Sequence, residues 1–413
     1  MTDLEKFCET YDIKYFTKLD KHVQEFFLLV SEYILNKKEE KGYFRGGAMR
    51  NSAGFLGLAQ IIVNMMKPKP YKHINEIFTL WNMKVLESTK YDKKIVLLGD
   101  VHTYDHSCSM DSIDVATFIK NQVQTATSFV DLYLEIPYIF DQRYKGREIG
   151  NTFMLDTQKK FENCFTWVKK YCPYYNLRAH YVDLREPILG EIVKLQRDIN
   201  ELFFMIKYTN GTDIRIPRKV DQILAENEKY GEVCATREKL VSHMYNIVDK
   251  SKIRKQINYV EEVEVYNKLN SLLDDVLKVD NTNFNEKYNW CRIMMMLRDI
   301  KNNPTDRRSL DRIYKLYVDL SEYTGYLMDI YVLARMFRKY RYVENNNSLP
   351  AKSIIVYTGA IHTKFYAHIL RQLEFSQIFN RDRSWKKDQF GNVVHYNCID
   401  VSDLEQPLFG LPG

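Results

Sequence analysis

The chain has 413 residues, enough for one large domain or two ordinary ones. Hydrophobic residues make up 45% and charged residues 28%, the balance of a soluble globular protein, and 16 Gly with 10 Pro exclude long disordered linkers. The 60 Lys and Arg against 54 Asp and Glu leave a charge of +6. Basic residues interleave with acidic ones throughout, so they read as solvated surface and no nucleic-acid footprint is expected.

The 30 Tyr, with many Lys and Asn, suit the codon usage of an AT-rich genome, such as that of a large DNA virus or a protist. Seven Cys lie scattered at positions 8, 108, 164, 172, 234, 291 and 398 without CxxC spacing. That pattern predicts reduced thiols in a cytosolic compartment, with neither a disulfide framework nor a zinc ribbon. The polar start MTDLEKFCETYD is no secretory signal. The longest apolar run, Phe55 to Met66, is too short to span a bilayer and contains Gln60 and Asn64. A cytoplasmic location is expected, meaning host cytoplasm or virion if the source is viral, with no membrane partner.

Residues 1–90 read as a helical N-terminal region, with Phe26, Phe27, Val30, Tyr33 and Ile34 at helical spacing. Its glycine-bearing stretch 43–54 holds Arg45 and Arg50 but matches no phosphate-loop pattern, and reads as a turn. From residue 93 the texture changes. KKIVLLGD (93–100), FVDLYLEIP (129–137) and LRAHYVDLR (177–185) are apolar runs of strand length, separated by helical patterns through Ile113–Val123 and Phe161–Val168. Residues 191–349 read as a large helical insertion, whose Met294–Met296 cluster reads as core packing. SIIVYTGAIH (353–362) returns to strand texture and runs straight into a helix, and NVVHYNCIDV (392–401) reads as an edge strand of the same sheet. The expected fold is α/β: a parallel-sheet core from 91–190 and 350–413 with flanking helices and that insertion.

Each parallel strand ends on polar residues that a core strand does not need. They are Asp100 and His102 after the first, Glu135 on the second, Asp183 on the third and His362 after the fourth. Ligands bind beyond the carboxyl ends of parallel strands, so chain direction alone gathers these groups at one rim. Gly99–His102 and Gly359–His362 share a G-x-x-H layout, in which a glycine permits a tight turn and close backbone approach. Two imidazoles and a carboxylate can hold a divalent metal with an open position for water, or act without metal as base and positioning pair. Cys108 lies near His102 but has no visible base and orienter, and reads as structural. No GxSxG, HExxH, phosphate-loop or dinucleotide-binding pattern occurs.

GDVH (99–102), LYLEIP (132–137), IVYTGAIH (355–362) and Arg335 in DIYVLARMF (329–337) resemble the superfamily that includes TraB, Tiki, ChaN and the erythromycin esterases. The likeness covers 93–190 and 325–372, and Asp100 stands where the ChaN-type motif has Glu. It implies hydrolysis of ester or amide bonds in a small-molecule or peptide substrate, with His102, Glu135 and His362 as catalytic groups or metal ligands. Asp100, Asp183 and Arg335 would support them. Through ChaN it also allows a haem- or metal-binding protein, with His106 as a further ligand. A catalytically retired copy serving as a virion or interaction protein is the third course.

Overall fold

The computed structural model describes residues 71–100, 108, 111–137, 152–165, 174, 176–183, 185–226, 252–277, 290–338, 352–383, 385–387, 393–395 and 398–410. His102, His106, the glycine stretch 43–54 and the helices expected over 1–70 lie outside these residues. The protein is mixed α/β, as its alternating apolar runs predict, and its chain divides into two units. The first takes in the described residues up to 136, those from 152 to 181 and those from 352 onward; the second takes in Pro137 and the described residues of 182–338.

A six-stranded sheet organises the first unit. Its strands are β2 (Asn82–Ser88), β3 (Lys93–Asp100), β5 (Val130–Pro137), β6 (Leu177–Asp183), β7 (Ser353–Gly359) and β8 (Ser376–Asp382), in the order β6-β5-β7-β3-β2-β8. β7 runs parallel to both β5 and β3, whereas β2 is antiparallel to β3 and to β8. The apolar runs of β3 and β7 are buried almost throughout, because helices cover the sheet on both faces. Helix α1 (Val115–Thr125) is capped by Asp114, whose carboxylate accepts from the Thr117 N–H at 2.8 Å. It packs Phe118, Ile119 and Val123 against Val96, Leu98, Leu132, Leu134 and Tyr357. Met154 and Phe161 of α2 (Thr152–Phe165) join the same core. Helix α9 (Ala360–Gln372) lies on the opposite face, where Ala360 adjoins Gly99.

Three sequence expectations are corrected here. The segment 71–90 is not helical: it forms β1 (Glu76–Phe78) and β2, whose mixed polar and apolar residues suit antiparallel strands and mimic a helical pattern. The stretch 392–401 does not add an edge to the main sheet, because β8 already occupies that edge beside β2. It divides instead into β10 (Val393–His395), which pairs with β9 (Trp385–Lys387), and β11 (Cys398–Asp400). β11 builds a small separate sheet with β1 and β4 (Ile113–Asp114). The cysteines are not all reduced. Cys108 is disulfide-bonded to Cys398, with Cα atoms 5.8 Å apart, and Cys164 is also in a disulfide. A pairing across 290 residues has no spacing signal, and the cytoplasmic expectation loses the support it drew from free thiols.

The second unit is helical: α3 (Arg185–Thr209), α4 (Ile216–Glu226), α5 (Lys252–Ile257), α6 (Val263–Leu277), α7 (Trp290–Asn302) and α8 (Arg307–Phe337). The apolar stretch read from the sequence over 324–339 makes the last turns of α8, with Leu327, Ile330, Val332, Leu333 and Ala334 fully buried. Met294 is buried as expected, but Met295 is half exposed and is not core. No described helix is long and apolar enough to cross a membrane.

Candidate active site

The carboxyl ends of β5, β7 and β3 meet where the helices change sides. The helices following β3 and β5 pack on one face, and α9, following β7, packs on the other. Such a switch between adjacent parallel strands opens a crevice at their ends. β7 passes into α9 without a loop, because Gly359 is both the last residue of the strand and the helix N-cap. His362, in the first turn of that helix, is therefore held by the strand it follows, and it is nearly buried.

Glu135 reaches the same turn from β5. Its Oε2 accepts the Gly359 N–H at 2.7 Å, leaving Oε1 3.6 Å from Nε2 of His362. The carboxylate is thereby fixed at a helix start, where the dipole favours negative charge. The 3.6 Å separation is an ion-pair spacing rather than a hydrogen bond. Catalytic pairs commonly stand this far apart until substrate tightens them. Two of the residues singled out in the sequence are thus brought together.

Asp100 ends β3 opposite Gly359 in the register. Its Oδ2 accepts the phenol proton of Tyr357 at 3.0 Å. Burial, then the neighbouring Asp100 charge, push the Tyr357 phenol well above its ordinary pKa, so it stays a donor and Asp100 the acceptor. This pair faces the core of Leu98 and α1, the opposite side of the sheet from Gly99 and α9. Asp183 closes β6 and is buried; it is counted with the second unit. Arg335 lies on α8, its guanidinium 5.9 Å from the centre of the Tyr331 ring one turn earlier. His102 lies outside the described residues.

Comparison with family models, with curated proteins and with solved structures finds no match. The chemistry is read from the chain's own residues.

Sequence reasoning missed the support beneath His362. Asn82 on β2 is fully buried; its Oδ1 accepts from the Thr363 hydroxyl at 2.7 Å and its Nδ2 donates to the Ala360 carbonyl at 3.3 Å. Gly99 makes this clamp possible. A Cβ there would stand 2.3 Å from Asn82 Oδ1 and 2.8 Å from the Ala360 Cα, which no side chain permits. The glycine of the first G-x-x-H motif therefore serves close packing against the turn of the second. Gly99→Ala is expected to cost about 1–3 kcal/mol through overpacking. A lower midpoint in urea unfolding checks it; an unchanged midpoint would show that the turn relaxes freely.

A second carboxylate–imidazole pair lies on the same strand as Glu135. Asp131, fully buried, accepts from Arg178 Nε at 2.9 Å and Nη2 at 2.6 Å, and its Oδ1 lies 2.7 Å from His180 Nε2. The His180 ring stacks on Tyr133, with centroids 4.6 Å apart. Burial alone would raise the Asp131 pKa, but the Arg178 charge and the His180 hydrogen bond outweigh it and hold the carboxyl below its ordinary value. The only signal in the sequence is a charged residue inside an apolar run.

Among the described residues no group of three His, Cys, Asp or Glu is disposed to hold a metal ion. Glu135 Oε1 and His362 Nε2, 3.6 Å apart, stand close to the separation of about 3.4 Å expected of two tetrahedral ligands about 2.1 Å from one ion. They would supply two of the donors.

Proposed function

We propose that this chain hydrolyses an ester or amide bond in a small-molecule or peptide substrate. Glu135 and His362 form its acid–base centre and His102 is its third member. The observation that carries the reading is the Glu135 carboxylate, fixed by the Gly359 N–H at 2.7 Å and presented to His362 at the carboxyl ends of β5 and β7. His102 follows Asp100 by two residues, so chain length alone keeps its Cα within about 7 Å of the Asp100 Cα. The two G-x-x-H motifs and the Glu between them resemble those of the TraB, Tiki and erythromycin esterase group, which favours hydrolysis. Asp183 and Arg335, which the resemblance would make supporting charges, are counted with the second unit.

In this reading His362 takes the proton of the attacking water, and Glu135 stabilises the imidazolium that forms. The proton then passes to the leaving oxygen or nitrogen. A divalent cation held by Glu135, His362 and His102 would polarise the carbonyl and acidify a bound water.

The test is turnover of a panel of chromogenic esters and amides by the purified protein and by His362→Ala. Turnover that falls at least about a hundredfold in the variant is expected. No turnover by the parent protein, or equal turnover by both, overturns the reading. Elemental analysis of the parent protein beside His102→Ala/His362→Ala decides whether metal is the agent. A Soret band on titration with haem, without turnover, would assign the site to haem binding instead.

A further inference from the structure

Helix α9 lies across the sheet with one flank toward β5 and the other toward β2 and β8. His362 faces Glu135 of β5, while the Thr363 hydroxyl bonds Asn82 of β2. The order β5-β7-β3-β2-β8 puts those two contacts on opposite sides of the helix. Lys364 and Arg371, both exposed, stand about two turns apart on the flank away from His362. They therefore overhang β2 and β8. Lys84 stands on β2 beneath them. It shares the face of Asn82, two residues before it, and pairs in register with Asn380 of β8, whose Oδ1 accepts from its ammonium group. Asp382 pairs with Asn82 in the same register. Lys84 is half-buried. Burial lowers the pKa of its ammonium group; Asp382 opposes that, and the nearby charges of Arg371 and Lys364 lower it further. Arg371 Nε donates to the Ala367 carbonyl at 3.2 Å, so among the described residues neither Arg371 nor Lys84 has a carboxylate as its hydrogen-bond partner.

We propose that the surface where α9 overlies the β2–β8 edge binds a phosphate dianion, either free or as a phosphate monoester, through Lys84, Lys364 and Arg371. The three cations face one acid, Asp382, which leaves two positive charges in excess. A phosphate dianion matches that excess, where chloride or a single carboxylate brings one charge. Its tetrahedral oxygens suit the donors: the Arg371 guanidinium presents a planar fork, and the two ammonium groups act as point charges. Asn380 accepts from Lys84 through Oδ1, which leaves its Nδ2 as a neutral donor on the same face. Lys84 is the centre of the site. Held by Asn380 and half-buried, it gains most from an anion, which relieves the repulsion from Lys364 and Arg371. The site lies on the flank of α9 away from Glu135 and does not depend on the hydrolase reading.

Isothermal titration of the full chain with inorganic phosphate and with phenyl phosphate, at fixed ionic strength, tests it. Saturable binding of one anion per chain is expected, weakened at least about tenfold in Lys84→Met and in Arg371→Gln. Lys364 and Arg371 are exposed, so Lys364→Gln and Arg371→Gln read the site even if Lys84→Met fails to fold. Asp382→Asn removes the opposing acid and is expected to tighten binding about threefold, a gain that damage to the fold does not imitate. Lys72→Gln, at an exposed lysine before β1, is expected to bind as the parent does. Phenyl phosphate binding more tightly than the inorganic ion assigns the site to a monoester, and the reverse order assigns it to the free ion. No saturable binding of either probe overturns the proposal. So does parental affinity in both Lys364→Gln and Arg371→Gln, or a loss in Lys72→Gln equal to theirs, which would mark diffuse attraction to a basic surface.

Discussion

Glu135→Gln is expected to lower turnover by about two to four orders of magnitude while leaving the fold intact. The amide has the shape of the carboxylate, and its oxygen can still accept the Gly359 N–H that Glu135 Oε2 now takes at 2.7 Å. The start of α9 therefore keeps its anchor. What disappears is the negative charge 3.6 Å from His362 Nε2, in a place where both side chains are almost shielded from water. Shielding makes that charge count, since solvent does little to screen it. Glu135→Ala removes the anchor as well as the charge, so it is expected to lower stability in addition to activity. Parallel measurement of kcat, KM and the urea midpoint separates the two variants. A Glu135→Gln protein with parental kcat would remove the carboxylate from the mechanism.

The pair behind that prediction was legible because its members sit in strongly patterned sequence. LYLEIP and VYTGAIH are apolar runs closed by a polar residue, and the direction of parallel strands sends both ends to one rim. The direct passage of β7 into a helix was legible too, as one strand run over 353–362 that leads straight into a helical period, although the strand ends at Gly359 and His362 already lies in the helix. Other parts leave little trace. β8 has Phe379 as its one buried residue, so it carries neither alternation nor an apolar run, and only its pairing with β2 makes it a strand. Asn82 has a role because Gly99 and Ala360 close around it, and they come from segments 17 and 278 residues away. The bond from Cys108 to Cys398 is of the same kind: contact between residues 290 apart in the chain, with no local rule that selects the partner.

Asp131→Asn is expected to be among the most destabilising single changes, at about 3–5 kcal/mol, because it leaves the partly buried Arg178 guanidinium without its anionic partner. Arg178 makes two hydrogen bonds to this carboxylate and His180 a third polar contact, and the carboxylate itself is fully buried. The pH dependence has a definite sign. Its folded-state pKa is depressed, so the stabilisation is fully present above the unfolded value of about 3.9 and is lost as pH falls through the lower folded value. The gap between parent and variant should therefore be widest near neutral pH and shrink below about pH 4. Urea unfolding at neutral and acid pH reads both; a gap independent of pH would mean that Asp131 is not held ionised. Replacing the whole cluster asks a different question. Asp131→Leu with Arg178→Met and His180→Leu exchanges buried ions for apolar groups, a change that is often neutral or stabilising. If that protein is as stable as the parent, the cluster is not needed for folding. Loss of turnover in the same protein would then extend the working surface of β5 from Glu135 down to Asp131.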